Sequence, residues 1–260
     1  MEAGNRCFDQ NVPEETNRRI VDHISDVNLP YTEHSRRYLL SEGISKEYIF
    51  VTGSPMTEVI EKNRDKIENS KILEKLKLEK DRYFVVSAHR EENIDIEDNF
   101  LSLMNAINAV AEEYKLPIIY STHPRSLKMI KDRGFKFHPL VNNIEPLSYT
   151  DYNKLQIDSY CVLSDSGTLS EESAILYFPA ILIRTSTERP EVLDKGTIVI
   201  GGIDKCSILH SIKLAKSING ERKKNIIPQD YYDNNVSTKV INIIQSYTKI
   251  INANIWKKII

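Results

Sequence analysis

The feature that most constrains the fold is a rhythm that sets in at Arg82. Tyr83-Phe84-Val85-Val86-Ser87 opens it with a nearly unbroken apolar run. A run that is apolar at successive positions suits a strand covered on both faces. Further strand-like runs at Pro117–Ser121, Ser159–Leu163, Ala180–Ile183 and Thr197–Ile200 alternate with helical stretches at Glu97–Tyr114, Ser126–Lys131, Leu169–Tyr177 and Ser207–Lys216. Strand–helix–strand alternation predicts a parallel, doubly wound α/β sheet with right-handed crossovers. Val236–Tyr247 reads as a closing helix that the last residues extend.

The stretch before Arg82 reads differently. A helix is predicted from Pro13, a residue suited to a first turn because its missing N–H costs nothing there, with acidic neighbours that favour a helix N-terminus. Ile20, Val21 and Ile24 are its expected buried stripe. Val27–Tyr31 and Ile49–Thr52 read as strands, and Glu33–Glu42 as a helix with Gly43 placed to cap its end. Gly53-Ser54-Pro55 breaks the pattern, and the charged stretch Met56–Asp81 reads as a helical linker region between two lobes. The expected division is 1–58, the remainder of a first lobe; 59–81, the linker; 82–235, a complete doubly wound domain; and 236–260, a C-terminal helix.

Composition excludes some classes. The 35 basic and 37 acidic side chains leave a net charge of −2, so the chain as a whole is not a polyanion binder, and no nucleic acid is expected. Cys7, Cys161 and Cys206 lie far apart without metal-ligand spacing, and read as free thiols of a reducing compartment. No apolar run is long enough to span a bilayer, and no basic-then-apolar opening reads as an export signal. The expected location is the cytoplasm, with no membrane partner.

Chemistry concentrates in loops. In Leu163-Ser164-Asp165-Ser166-Gly167-Thr168-Leu169 an apolar strand ends and a helix begins. Open N–H groups and the dipole at such a helix start suit a phosphate, and Gly167 lets a ligand approach the backbone. Glu172, about one turn into the helix, can accept from ribose hydroxyls. The plainer alternative is that Asp165 or Ser166 only caps the helix. His89-Arg90-Glu91 also follows a strand; a His beside an Arg suits a diphosphate and proton transfer near neutrality, whereas a merely polar surface loop is the plain reading. Arg189, in Thr187-Glu188-Arg189-Pro190-Glu191, could grip a nucleotide phosphate or hydroxyl with its fork, or simply belong to a charged loop. Ligands of parallel sheets bind at the carboxyl ends of strands, where loops following strands of one sheet converge. Glu2-Ala3-Gly4 and Pro13-Glu14-Glu15 supply carboxylates fit for paired acid–base work, or for nothing more than a helix start. His123 reads as structural, and Tyr152 as either a base-stacking ring or a core aromatic.

Taken together, Glu2-Ala3-Gly4-Asn5-Arg6-Cys7-Phe8-Asp9, Pro13-Glu14-Glu15-Thr16-Asn17-Arg18-Arg19, His89-Arg90-Glu91, Asp165-Ser166-Gly167 with Glu171-Glu172, and Thr187-Glu188-Arg189-Pro190-Glu191 resemble the non-hydrolysing bacterial UDP-N-acetylglucosamine 2-epimerases over nearly the whole chain. The Asn5–Asp9 wording is most similar to a branch forming UDP-N-acetyl-L-fucosamine-type precursors of surface polysaccharides. The resemblance implies a GT-B-like twin Rossmann architecture with a cleft between lobes, the first lobe incomplete here, and inversion at C2 of a UDP-2-acetamido sugar. The family's reaction removes the C2 proton, expels UDP from C1 to give a 2-acetamidoglycal, and re-adds UDP while C2 is reprotonated on the other face; it needs no metal or other cofactor. By motif, Glu2, Glu14 and His89 match the catalytic groups. Ser166, Gly167 and Thr168 match the phosphate loop, Glu172 the ribose carboxylate, Arg189 the nucleotide-site arginine and Tyr152 an aromatic beside the uracil. Thr168 stands where many members carry a second glycine. Residues after Pro124 depart from a pattern that includes an allosteric histidine at the His123 position. Family members have roughly a hundred residues before the Glu-Ala-Gly loop, so the isolated chain is expected to turn over weakly or not at all, and to pair with a separate N-terminal fragment or with a second copy. The other readings of the same residues are a non-catalytic UDP-sugar-binding remnant or split-enzyme subunit, and a GT-B glycosyltransferase.

Overall fold

The structure, a computed structural model, describes residues 1–10, 12–221 and 226–258. In chain order its elements are α1 (Pro13–Ile24), α2 (Glu33–Ser41), α3 (Met56–Glu68), α4 (Ile72–Leu76), β1 (Phe84–Ser87), α5 (Glu91–Ile94), α6 (Glu97–Tyr114), β2 (Ile118–Ser121), α7 (Pro124–Asp132), β3 (Val141–Ile144), α8 (Tyr149–Ile157), β4 (Cys161–Ser164), α9 (Leu169–Leu176), β5 (Ala180–Leu182), α10 (Pro190–Asp194), β6 (Val199–Ile200), α11 (Lys205–Glu221) and α12 (Val236–Asn254). Two compact units form: Met1–Lys62 with Glu188–Glu191 and Pro228–Ile260, and Asn63–Thr187 with Val192–Ile227. These bounds differ from the sequence division, for α12 groups with the first unit and residues 63–81 with the second. The expected C-terminal helix stops at Asn254, and its last positions, Ile259 and Ile260, lie outside the described residues.

The second unit is the doubly wound sheet that the apolar rhythm predicts. Its strands run parallel in the order β3-β2-β1-β4-β5-β6. Phe84, Val85, Val86, Cys161, Val162 and Leu163 have no exposed surface, because helices cover both faces. Burying each large apolar side chain contributes roughly 1.5–3 kcal/mol. The strand order reverses beside β1, where β1 pairs with both β2 and β4 and the strands to either side lead outward. Loops leaving the carboxyl ends of β1 and β4 therefore flank the crevice in which such sheets bind ligands. Strand β3, absent from the sequence reading, is Val-Asn-Asn-Ile with both asparagines exposed. Asparagine is a poor strand former, and this edge strand follows from pairing with β2.

The first unit departs from expectation twice. Val27–Tyr31 and Ile49–Thr52 do not form full strands; they meet in one isolated parallel bridge, Asn28 with Ile49. Asn28 N–H donates to Tyr48 O (2.8 Å), and Phe50 and Thr52 donate back to Asn28 and Pro30 (both 3.0 Å). Pro30 has no N–H with which to continue the ladder. The second departure is α1. Ile20, Val21 and Ile24, expected inside, are 54%, 56% and 76% exposed, and the helix buries Glu15 and Asp22 instead. Asp22 accepts from Gly4 N–H (2.9 Å) and from Arg6 (2.8 Å), and Glu15 accepts from Cys7 N–H (2.9 Å). Buried donors need acceptors, and that requirement sets the inward face of α1. The linker stretch is two helices, α3 and α4, with Ser70 Oγ accepting from Ile72 N–H (3.3 Å) where the second begins. Gly43 behaves as expected, ending α2 at φ +84° with its N–H on Leu40 O (3.1 Å).

Candidate functional site

In the second unit, Ser87 and Ser164 are register partners at the ends of β1 and β4. The residues just beyond them are tied together by one buried carboxylate, Asp165. Its Oδ2 accepts the backbone N–H groups of His89 and Arg90 (both 2.9 Å) and Asn93 Nδ2 (3.1 Å), and its side chain has no exposed surface. Its Oδ1 lies 3.2 Å from His89 Nδ1. A carboxylate there can only accept, so the ring proton sits on Nδ1 and Nε2 is left as the basic nitrogen. The His89 side chain is 42% exposed, so Nε2 can meet a ligand. Arg90 Nε donates to Asp165 O (3.0 Å), which fixes that side chain beside the same loop. Asp165 thus organises the His-Arg loop and does not cap α9; the cap residue is Thr168, which makes no side-chain capping bond.

The turn from β4 into α9 is Asp165-Ser166-Gly167-Thr168. Ser166 N–H donates to Ser164 Oγ (3.1 Å), and the hydroxyls of Ser166 and Thr168 lie 3.1 Å apart. Among the described residues, the N–H groups of Gly167 and Thr168 have no hydrogen-bond partner. They stand at the N-terminal end of α9, as a phosphate cradle requires. One turn on, Glu172 is buried, and Gln156 Nε2 donates to its Oε2 (3.0 Å). Burial raises the Glu172 carboxyl above its ordinary range, while the neighbouring Gln156 and Thr168 pull in the opposite direction. Tyr152 lies on α8, half-buried. Burial and the nearby Glu172 charge raise its hydroxyl, and the same two causes push Tyr149 up to about 12. The structure therefore gathers Ser87, His89, Tyr152, Ser166, Gly167, Thr168 and Glu172 at one edge of the sheet. The sequence reading missed Asn93 and Gln156 as members of this cluster, since neither carries a motif. His123 caps α7, its Nδ1 accepting from Arg125 N–H (3.3 Å), which is the structural role expected of it.

The first unit holds a separate set of charged groups. Glu2 sits at φ +61°, its side chain 48% exposed, and its Oε1 accepts from Asn5 Nδ2 (3.1 Å) and Arg189 Nη2 (2.9 Å). Arg189 is itself buried, with its guanidinium carbon 5.9 Å from the Tyr31 ring centre. Gly4 at φ +76° makes the loop possible: a Cβ there would sit 2.3 Å from Ser35 O. Arg6, almost fully buried, binds Asp22 (2.8 Å) and forks onto Glu42 (2.8 and 2.7 Å). Glu14 is on the exposed side of α1, while its neighbour Glu15 turns inward to hold Cys7. Paired with that carboxylate, the Cys7 thiol is raised, first by burial.

The sequence profile of the family described as UDP-N-acetylglucosamine 2-epimerase matches residues 1–245. A UDP-N-acetylglucosamine 2-epimerase of Methanococcus maripaludis is 34% identical over 258 residues, covering 94% of this chain and 67% of that protein. One from Methanocaldococcus jannaschii is 34% identical, covering 82% of this chain and 60% of its own length. The chain thus spans about 60–67% of these curated relatives. Among solved structures, the Rickettsia bellii UDP-N-acetylglucosamine 2-epimerase matches with a TM-score of 0.88 and 41% identity over 99% of this chain and 69% of that one. The Methanocaldococcus jannaschii UDP-GlcNAc 2-epimerase in complex with UDP-GlcNAc and UDP matches with a TM-score of 0.86 and 30% identity, over 95% of this chain and 68% of that one.

Proposed function

From the premise that the chain belongs to the UDP-N-acetylglucosamine 2-epimerase family, we propose that it binds a UDP-2-acetamido sugar and serves inversion of that sugar at C2. The observation that carries the reading is Asp165, which draws the His89 loop onto the turn that offers open N–H groups to a phosphate. Gly167 and Thr168 N–H groups receive the diphosphate, Glu172 the ribose hydroxyls, and Tyr152 lies beside the uracil. His89 Nε2 faces the diphosphate leaving group, where an imidazole can carry or yield the proton that makes UDP a better leaving group.

The chemistry balances without an outside oxidant or reductant. A base takes the C2 proton, the electron pair forms the C1–C2 double bond, and the C1–O bond breaks as UDP leaves. Return of UDP to C1, with a proton delivered to the opposite face of C2, gives the epimer. Glu2 and Glu14 are the carboxylates proposed for this proton traffic. Arg189 holds one oxygen of Glu2, and by resemblance it also serves the nucleotide. The Asn5–Asp9 wording supports a 6-deoxy-L-hexosamine as the sugar, for surface polysaccharide precursors. No helix among the described residues is long and apolar enough to cross a membrane, and the reading places the reaction in the cytoplasm.

A partner for the first unit belongs to the same proposal. A groove of about 530 Å³ there is lined by Ile24, Leu29, Ile244, Tyr247, Ile251 and Trp256 among others. Beside the isolated parallel bridge of Asn28 with Ile49, that groove suits a separate polypeptide segment bearing apolar strands. By this account the chain alone turns over UDP-sugar weakly or not at all, and adding such a segment restores turnover. The test follows solvent deuterium into C2 of UDP-N-acetylglucosamine with the chain alone and with that segment added. Incorporation at C2 supports the epimerase; transfer of the sugar with C2 untouched would identify a glycosyltransferase instead.

A further inference from the structure

Glu2 stands in an uncommon backbone state: its φ is +61°, although it is not a glycine. A residue strained in this way persists only where its surroundings fix it, and such residues cluster at functional sites. Within the first unit, a buried polar chain leads to its side chain. Thr32 caps α2; its Oγ1 accepts from Ser35 N–H (3.2 Å) and donates to Ser35 Oγ (3.2 Å). Ser35 Oγ donates to Asn5 Oδ1 (3.0 Å), and Asn5 Nδ2 donates to Glu2 Oε1 (3.1 Å). Thr32, Ser35 and Asn5 are all buried, so each relies on the next for its hydrogen bond. With its carbonyl oxygen held by Ser35, the Asn5 amide offers Glu2 only an N–H, which suits an acceptor oxygen. Turning that amide over would set oxygen against oxygen. Arg189 Nη2 donates to the same Glu2 Oε1 (2.9 Å). Both donors thus meet one oxygen of Glu2. Its Oε2 accepts no hydrogen bond among the described residues, and the side chain is half exposed.

We propose that Asn5 is a positioning residue: by pinning Oε1 it leaves Glu2 Oε2 as the oxygen that takes the C2 proton. The inference rests on the epimerase reading, and concerns a residue to which the resemblance gives no role. In the step, the C2 proton goes to Oε2, the electron pair left behind forms the C1–C2 double bond, and the C1–O pair leaves with UDP. A carboxylate held at one oxygen keeps the other within the narrow geometry of proton transfer. Without Asn5 the carboxylate pivots on Arg189, and most of its orientations turn Oε2 away from that geometry.

The test begins with the 15N-labelled intact chain. The Asn5 side-chain amide proton that meets Glu2 is expected downfield of ordinary asparagine amides and slow to exchange with water. Glu2→Gln, at a half-exposed position, is expected to move it upfield and speed its exchange, because a charge-assisted bond becomes a neutral one. Deuterium entry at C2 of UDP-N-acetylglucosamine is then compared in the intact chain and in Asn5→Leu, each alone and with the added segment. The variant is expected to incorporate at least about tenfold more slowly at saturating substrate, with KM unchanged. Thermal unfolding of each protein is recorded alongside. Should Asn5→Leu not fold, the amide signal in the intact chain and in Glu2→Gln decides. An Asn5 signal unmoved by Glu2→Gln, or equal rates in folded Asn5→Leu and the intact chain, would overturn this inference and leave the epimerase reading standing. No deuterium at C2 with the intact chain, alone or with the segment, would overturn both.

Discussion

Asp165 holds several groups with one buried side chain. Its carboxylate satisfies two backbone N–H groups, an asparagine amide and an imidazole at once. Asp165→Ala strands those donors, and a buried donor left unpaired costs about 1–3 kcal/mol. The variant should lose about 2–4 kcal/mol in urea unfolding; a loss within experimental error would mean that the loop is held by something else. Glu172 gives a prediction of opposite sign. Its carboxyl is raised, chiefly by burial, from an ordinary value of 4.5. Folding therefore favours the protonated form, a contribution that is complete below the ordinary value and lost as pH rises through the raised one. Glu172→Gln keeps a neutral group there at all pH. It should melt higher than the intact chain at about pH 8, with the gap closing at about pH 4, while UDP binding weakens. A variant less stable than the parent at the higher pH would contradict this. Much of this scale was legible, because His89, the Ser166 turn and Glu172 stand in motifs. The sequence leaves open whether Asp165 caps α9, since it cannot tell a side chain that points into its own helix from one that reaches back across the sheet. Gln156 carries no motif, so only the fold reveals what it holds.

At the scale of elements, strands buried on both faces were the most legible, since an unbroken apolar run has few other uses. Strand β3 was not, because its asparagines are tolerated only by pairing along β2. The inward face of α1 was misread for a definite reason. Apolar spacing predicts burial only when a core is available, and here the demand comes from the donors of the Gly4–Cys7 loop. That loop depends on Gly4. Any Cβ at Gly4 would meet Ser35 O at 2.3 Å while holding φ at +76°. Gly4→Ala should therefore destabilise the first unit by more than about 1 kcal/mol, and hydrogen exchange at Arg6 and Cys7 should accelerate. Unchanged exchange there would show that the loop accommodates a side chain.

Across the whole molecule, the two compact units carry different parts of the proposed chemistry, the nucleotide site in one and the Glu2–Arg189 pair in the other. The doubly wound architecture could be read from pattern alone. The division into units could not, because α12, distant in sequence, groups with the N-terminal residues. The account stands or falls on the crevice where the strand order reverses. Calorimetric titration with UDP of the intact chain and of Gly167→Val tests it most directly, since a side chain at Gly167 keeps a ligand away from the backbone of the turn between β4 and α9. The account predicts one saturable UDP site in the intact chain and at least about tenfold weaker binding in the variant. Absence of binding by the folded chain, or equal affinity in the two proteins, would contradict it.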